Sequence, residues 1–136
     1  MAASEFDNDL KPGSPVIVSV CVTCKAAQDT EVRHGPALID ALRAALADDV
    51  TVRPVQCLGV CKRPTTVAVS GAQGFTFVFG DLTPVAAGDI ASFVQSYRAA
   101  DYGFVPWRQR AEILRRGLVA RLPPAAWSPE DGSSPA

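Results

Sequence analysis

All four cysteines of the chain fall in two tight pairs, Cys21-Val22-Thr23-Cys24 and Cys57-Leu58-Gly59-Val60-Cys61, with 32 residues between them. Each pair follows an apolar, β-branched run, Val16-Ile17-Val18-Ser19-Val20 and Val50-Thr51-Val52-Arg53-Pro54-Val55. Runs of that length and composition read as strands. The fold is therefore expected to bring two strand ends to one edge of a sheet, each presenting two thiols. That arrangement makes a four-thiolate site.

With 136 residues, the chain can bury roughly two-thirds of the surface that it exposes when unfolded. It needs no cross-links to hold a core, so the cysteines call for another explanation. Residues 1–10 are polar and acidic, without the apolar segment of a secretory signal. No stretch approaches the roughly 18 unbroken apolar residues of a membrane span. The expected setting is cytoplasmic, soluble and reducing, where thiols persist as metal ligands, catalytic groups or simple thiols.

Periodicity then orders the elements. Residues 1–15 read as a disordered arm ending in Pro12-Gly13-Ser14-Pro15. After the first strand and a polar loop, Gly35-Pro36 opens a helix, since proline suits the first helical position. Its apolar face is Leu38, Ile39, Leu42 and Leu46. A strand over 50–56 delivers Cys57. Pro64 breaks the chain before Thr66-Val67-Ala68-Val69, and the Gly-rich turn at 70–74 leads into Phe75-Thr76-Phe77-Val78-Phe79, giving a hairpin. Ile90, Phe93, Val94 and Tyr97 mark a second helix, with Asp89 near its positive end. The first two strands, joined through a helix, are expected to be parallel with a right-handed crossover. The result is one α/β domain over 16–124, a thioredoxin-like sandwich with a βαβββα or βαββα core. A C-terminal helical or extended extension follows, including a basic helix from Trp107 to Arg116 stopped by Gly117. Residues 125–136 read as a flexible Pro/Ser-rich tail.

The ligand chemistry leaves three readings open. Thiolates are soft donors that suit zinc, copper(I) and iron–sulfur clusters, and four of them complete either a tetrahedral zinc or both irons of a 2Fe–2S cluster. Structural zinc usually knots together domains with little core of their own, and this chain is 48% hydrophobic. The loop Leu58-Gly59-Val60 favours the cluster, because its backbone N–H groups can approach sulfur and Gly59 can turn with φ > 0. Zinc-binding or metal trafficking without redox function is the second reading. The third is a thiol–disulfide oxidoreductase using Cys21 and Cys24, but the helix starts about ten residues too late to activate the first thiol. His34, the single histidine, excludes a Rieske centre and a two-Cys, two-His finger. It reads as a polar residue near a helix start. No carboxylate pair or phosphate loop supports an enzyme reading.

Several segments together resemble a family of small bacterial proteins of unknown function, described as predicted metal-binding proteins and grouped with thioredoxin-like 2Fe–2S ferredoxins. They are Val20-Cys21-Val22-Thr23-Cys24, Gly35-Pro36-Ala37-Leu38, Cys57-Leu58-Gly59-Val60-Cys61-Lys62-Arg63-Pro64, Phe79-Gly80-Asp81-Leu82, Val105-Pro106-Trp107-Arg108 and Ala120-Arg121-Leu122-Pro123-Pro124. The resemblance implies that Cys21, Cys24, Cys57 and Cys61 are ligands and that the chain is a ferredoxin-like electron carrier. It also implies a link to cobalamin or cobalt metabolism, because members are often encoded near such genes. One departure stands out: the established thioredoxin-like ferredoxins space their first two cysteines far more widely than the two residues here.

The net charge of −1 hides an asymmetry. Between Tyr97 and Arg121 lie six arginines (98, 108, 110, 115, 116 and 121) against Asp101 and Glu112. Basic and aromatic residues interleave there, but three lysines and a slightly acidic chain do not make a nucleic-acid binder. A redox partner protein docking on this Arg-rich region fits better, since such encounters are small and charge-steered. A homodimer is also compatible with the sequence.

Overall fold

A computed structural model of the chain describes residues 15–23, 33–59, 62–71 and 74–124. Cys24 and Cys61, most of the loop after Cys24, the expected arm before Pro15 and the expected tail after Pro124 lie outside these residues. The elements are β1 (Val16–Cys21), α1 (Gly35–Ala45), β2 (Val50–Val55), β3 (Val67–Ser70), β4 (Thr76–Phe79), α2 (Ala87–Ala99), α3 (Glu112–Arg116) and β5 (Leu118–Leu122). They form one sheet in the order β2-β1-β3-β4-β5. As expected, β1 and β2 are parallel; every other pair is antiparallel.

Alternation places Val16, Val18 and Val20 of β1, Val67 and Val69 of β3, and Phe77 and Phe79 of β4 in one buried core. The core is completed by the faces read from helical spacing: Leu38, Ile39 and Leu42 of α1, and Ile90, Phe93, Val94 and Tyr97 of α2. Leu46 falls just past α1 as its C-cap and packs on the core half-buried. Aromatic rings carry the join between α2 and the sheet. Phe93 meets Phe77 and Phe79 edge-on, with centroids 5.0 and 5.2 Å apart, an arrangement that adds to simple area burial. The buried Tyr97 hydroxyl donates to the Phe75 carbonyl, pinning α2 to the start of β4.

β2 is an edge strand, which explains how it tolerates Pro54: a proline there removes no bond from the interior of the ladder. Arg43 of α1 reaches over to donate to the Val52 carbonyl at 3.3 Å, and Arg53 donates to Ser19 Oγ at 2.8 Å. Charged side chains of this kind blunt an open edge against further pairing. Arg98 of α2 pairs with Asp49 at 3.0 Å. That hydrogen bond and charge hold the Asp49 carboxyl below its ordinary pKa.

One expectation for the C-terminal region is corrected and another is made specific. The single basic helix from Trp107 to Arg116 is broken into a 3₁₀ turn at Trp107–Gln109 and the short α3, with Arg110 and Ala111 extended between them. The break turns Arg110 inward, where it is buried and its guanidinium lies over the Phe77 ring. The extended part of the extension is a fifth strand, β5, paired to β4 with an irregularity at Val78/Phe79. Nearly all of β5 is exposed, so it carries none of the alternation that marks a half-buried strand.

Candidate metal centre

Cys21 is the last residue of β1 and stands opposite Val55 of β2. Cys57 therefore follows two residues beyond the end of the neighbouring parallel strand. The register alone puts the leading cysteine of each pair at the same end of the sheet. Backbone bonds on both sides clamp this end of β1: Cys21 N–H donates to the Thr66 carbonyl at 3.0 Å, and Val22 N–H to the Val55 carbonyl at 2.9 Å.

The two thiols sit in different surroundings. Cys21 is wholly buried. Its Sγ lies 3.5 Å from the Gln56 carbonyl, to which it donates, and 3.7 Å from Thr23 Oγ1. The Thr23 hydroxyl donates to that same Gln56 carbonyl, so the residue before Cys57 is tied directly to the first cysteine loop. Cys57 is exposed. Gly59 adopts φ 82° and aims its N–H at Cys57 Sγ, 3.2 Å away. A side chain at that φ is strained, which explains a glycine in the middle of the loop. Cys24 and Cys61 lie outside the described residues, and among the described residues no three metal-ligating side chains group together.

Helix α1 begins at Gly35, well past Cys24, with His34 as its half-buried N-cap. Gly35 rests on the end of β1: a Cβ there would run into the Cys21 carbonyl and come 2.8 Å from Val22 Cα. Proline at the next position suited the helix start, but the need for glycine arises only from this contact.

Two of the segments that carry the family resemblance meet in space. Arg63, just after the second cysteine pair, donates from Nε to Asp81 Oδ2 at 2.8 Å and from Nη2 to the Arg116 carbonyl at 3.0 Å. Asp81 N–H returns a bond to the Arg63 carbonyl at 2.9 Å. Arg63 thus braces the end of the cysteine loop to the turn after β4 and to the end of α3. The ion pair is largely solvated, so its worth is small. Arg63→Ala is expected to cost about 1 kcal/mol, mostly the lost bond to Arg116, and to lower Tm by about 4 °C. Thermal unfolding followed by circular dichroism checks it.

No curated protein matches the sequence. Among solved structures, the chain is similar to a thioredoxin-like [2Fe-2S] ferredoxin from Aquifex aeolicus, with TM-score 0.54 and 13% identity over 84% of this chain and 99% of that one. That likeness establishes the fold as thioredoxin-like. Residues 18–124 match the family model described as protein of unknown function, DUF1636, a span that includes both cysteine pairs, the Arg63–Asp81 brace and β5; the chain belongs to that family.

Proposed function

We propose that Cys21, Cys24, Cys57 and Cys61 hold one 2Fe–2S cluster and that the protein is a one-electron carrier. The observation that carries this reading is the placement of Cys21 and Cys57 at the same end of adjacent parallel strands, each leading a closely spaced second cysteine. The donor set fits the group. Thiolates are the usual cluster ligands, and N–H···S bonds such as that from Gly59 to Cys57 are among the features that set a cluster's potential. The solved neighbour is itself a [2Fe-2S] ferredoxin by its title. When bound, the cluster supplies the redox chemistry; the chain supplies the ligands, the hydrogen bonds around them and a docking surface. An acidic redox partner is the natural visitor to the Arg-rich region, where Arg108 and Arg116 are exposed.

The dithiol alternative fits less well. An attacking thiol must be accessible and activated, whereas Cys21 is wholly buried and α1 begins eleven residues after Cys24. The test is an absorption spectrum of protein purified without oxygen, with iron, sulfide and zinc measured on the same sample. About two irons and two sulfides per chain, with visible bands that bleach on adding dithionite, are expected. A colourless protein holding one zinc would instead make this a redox-inert metal-binding module. No metal at all would return attention to Cys21 and Cys24 as a dithiol.

A further inference from the structure

The opposite edge of the sheet holds a second charged centre that the cysteines do not use. Arg110 is 4% exposed. Its guanidinium carbon lies 5.7 Å from the centroid of the Phe77 ring, and its Nε and Nη1 have no hydrogen-bond partner among the described residues. Two more guanidinium groups flank it. Arg121 stands opposite Phe77 in the β4–β5 register and stacks on Phe104 at 4.8 Å, a ring that is itself 6.4 Å from Phe77. Arg115 donates from Nε to the Arg110 carbonyl at 2.8 Å and stacks on Trp107 at 4.6 Å.

The ion pairs among the described residues are Arg63–Asp81, Arg98–Asp49 and Arg116–Glu112. None of them involves Arg110, Arg115 or Arg121. Burial first, then the charges of Arg121 and Arg115, push the Arg110 pKa below its ordinary value. An arginine nevertheless stays protonated in a protein. A buried cation beside two like charges is costly unless an anion joins it, and an aromatic face offsets only part of that cost.

We infer that Arg110, Arg115 and Arg121 form a binding site for the oxyanion group of a small molecule, a phosphate or a carboxylate. Guanidinium forks match both groups in shape and charge. The depth of Arg110 selects a single projecting group over the broad surface of an acidic protein. The exposed indole of Trp107, already stacked by Arg115, lies beside the site and reports on its occupancy. This inference is independent of the metal at the cysteines.

The probes are inorganic phosphate and citrate, titrated into the full-length chain at ionic strength held constant with sodium chloride. Trp127→Phe leaves Trp107 as the sole tryptophan, so its emission follows the site, and Tm is measured in parallel. A saturable change in emission with a rise in Tm supports the site, and the probe that saturates at the lower concentration tells phosphate from carboxylate. Arg121→Gln is expected to weaken binding about tenfold or more, while Arg108→Gln, exposed and outside the cluster, binds like the parent. Arg121 lies on an exposed edge strand, so its substitution leaves the fold intact. The inference is overturned if neither probe saturates, or if Arg121→Gln binds as tightly as the parent.

Discussion

If the four cysteines hold the proposed cluster, Cys57→Ala is expected to yield a folded protein that has lost it. Alanine offers no donor atom at all, whereas a serine oxygen can still ligate iron, because a bound metal lowers the pKa of the oxygen it coordinates. Cys57 is exposed, and substitutions at such positions away from packing usually change stability by no more than about 0.5 kcal/mol. The circular dichroism of the metal-free variant should therefore match that of the metal-free parent. Its visible bands and its iron and sulfide content should disappear. Cys21 is a poorer site for this test, because its side chain is wholly buried and its loss disturbs packing as well as ligation. A Cys57→Ala protein that keeps the parent's metal content would show that the four cysteines do not act as one ligand set.

Gly35→Ala is the second large effect, and its sign runs against simple propensity. Inside a helix, glycine to alanine ordinarily gains up to about 1 kcal/mol. At Gly35 the new Cβ meets backbone, with the Cys21 carbonyl on one side and Val22 Cα at 2.8 Å on the other. Neither is the end of a flexible side chain that could swing away. Overpacking of this kind costs about 1–3 kcal/mol, so a net loss of about 2 kcal/mol is expected. The displacement also has a local consequence. Relief requires moving α1 off the end of β1, which shifts the segment that holds the Cys21 carbonyl and carries on to Cys24. Denaturant unfolding measures the stability, and iron per chain on the same preparation measures the site. A stability equal to or above that of the parent would mean that α1 does not press on the cysteine loop.

Much of this architecture was legible because its signals are local. Apolar, β-branched and aromatic runs bounded by turn residues marked β1, β3 and β4, and helical spacing marked the buried faces of α1 and α2, where Leu38, Leu42, Ile90 and Phe93 all reach the core. The parallel pairing of β1 and β2 followed from a helix between two strands, and that pairing aligns Cys21 with the approach to Cys57. β5 was not legible as a strand. Its partner is 44 residues earlier in the chain in the pairing of Phe77 with Arg121, and its side chains are exposed, so burial wrote no pattern into them. The basic helix through Arg110 was misread for a related reason. Arginines at 108, 110, 115 and 116 suggest a solvated face, and nothing local shows that Arg110 has turned inward onto Phe77.

The amino-acid sequence by itself determined which residues carry chemistry and at what spacing: two pairs of thiols behind two β-branched runs, with a glycine between the second pair. Those are properties of composition and period. Tertiary structure alone decided which groups share a place: the Gln56 carbonyl with Cys21 Sγ, Gly35 against the end of β1, Arg63 with Asp81, Arg110 and Arg121 on the rings of Phe77 and Phe104, and Arg115 on the Arg110 carbonyl. Such meetings depend on register and packing between segments distant in the chain, which no local pattern encodes.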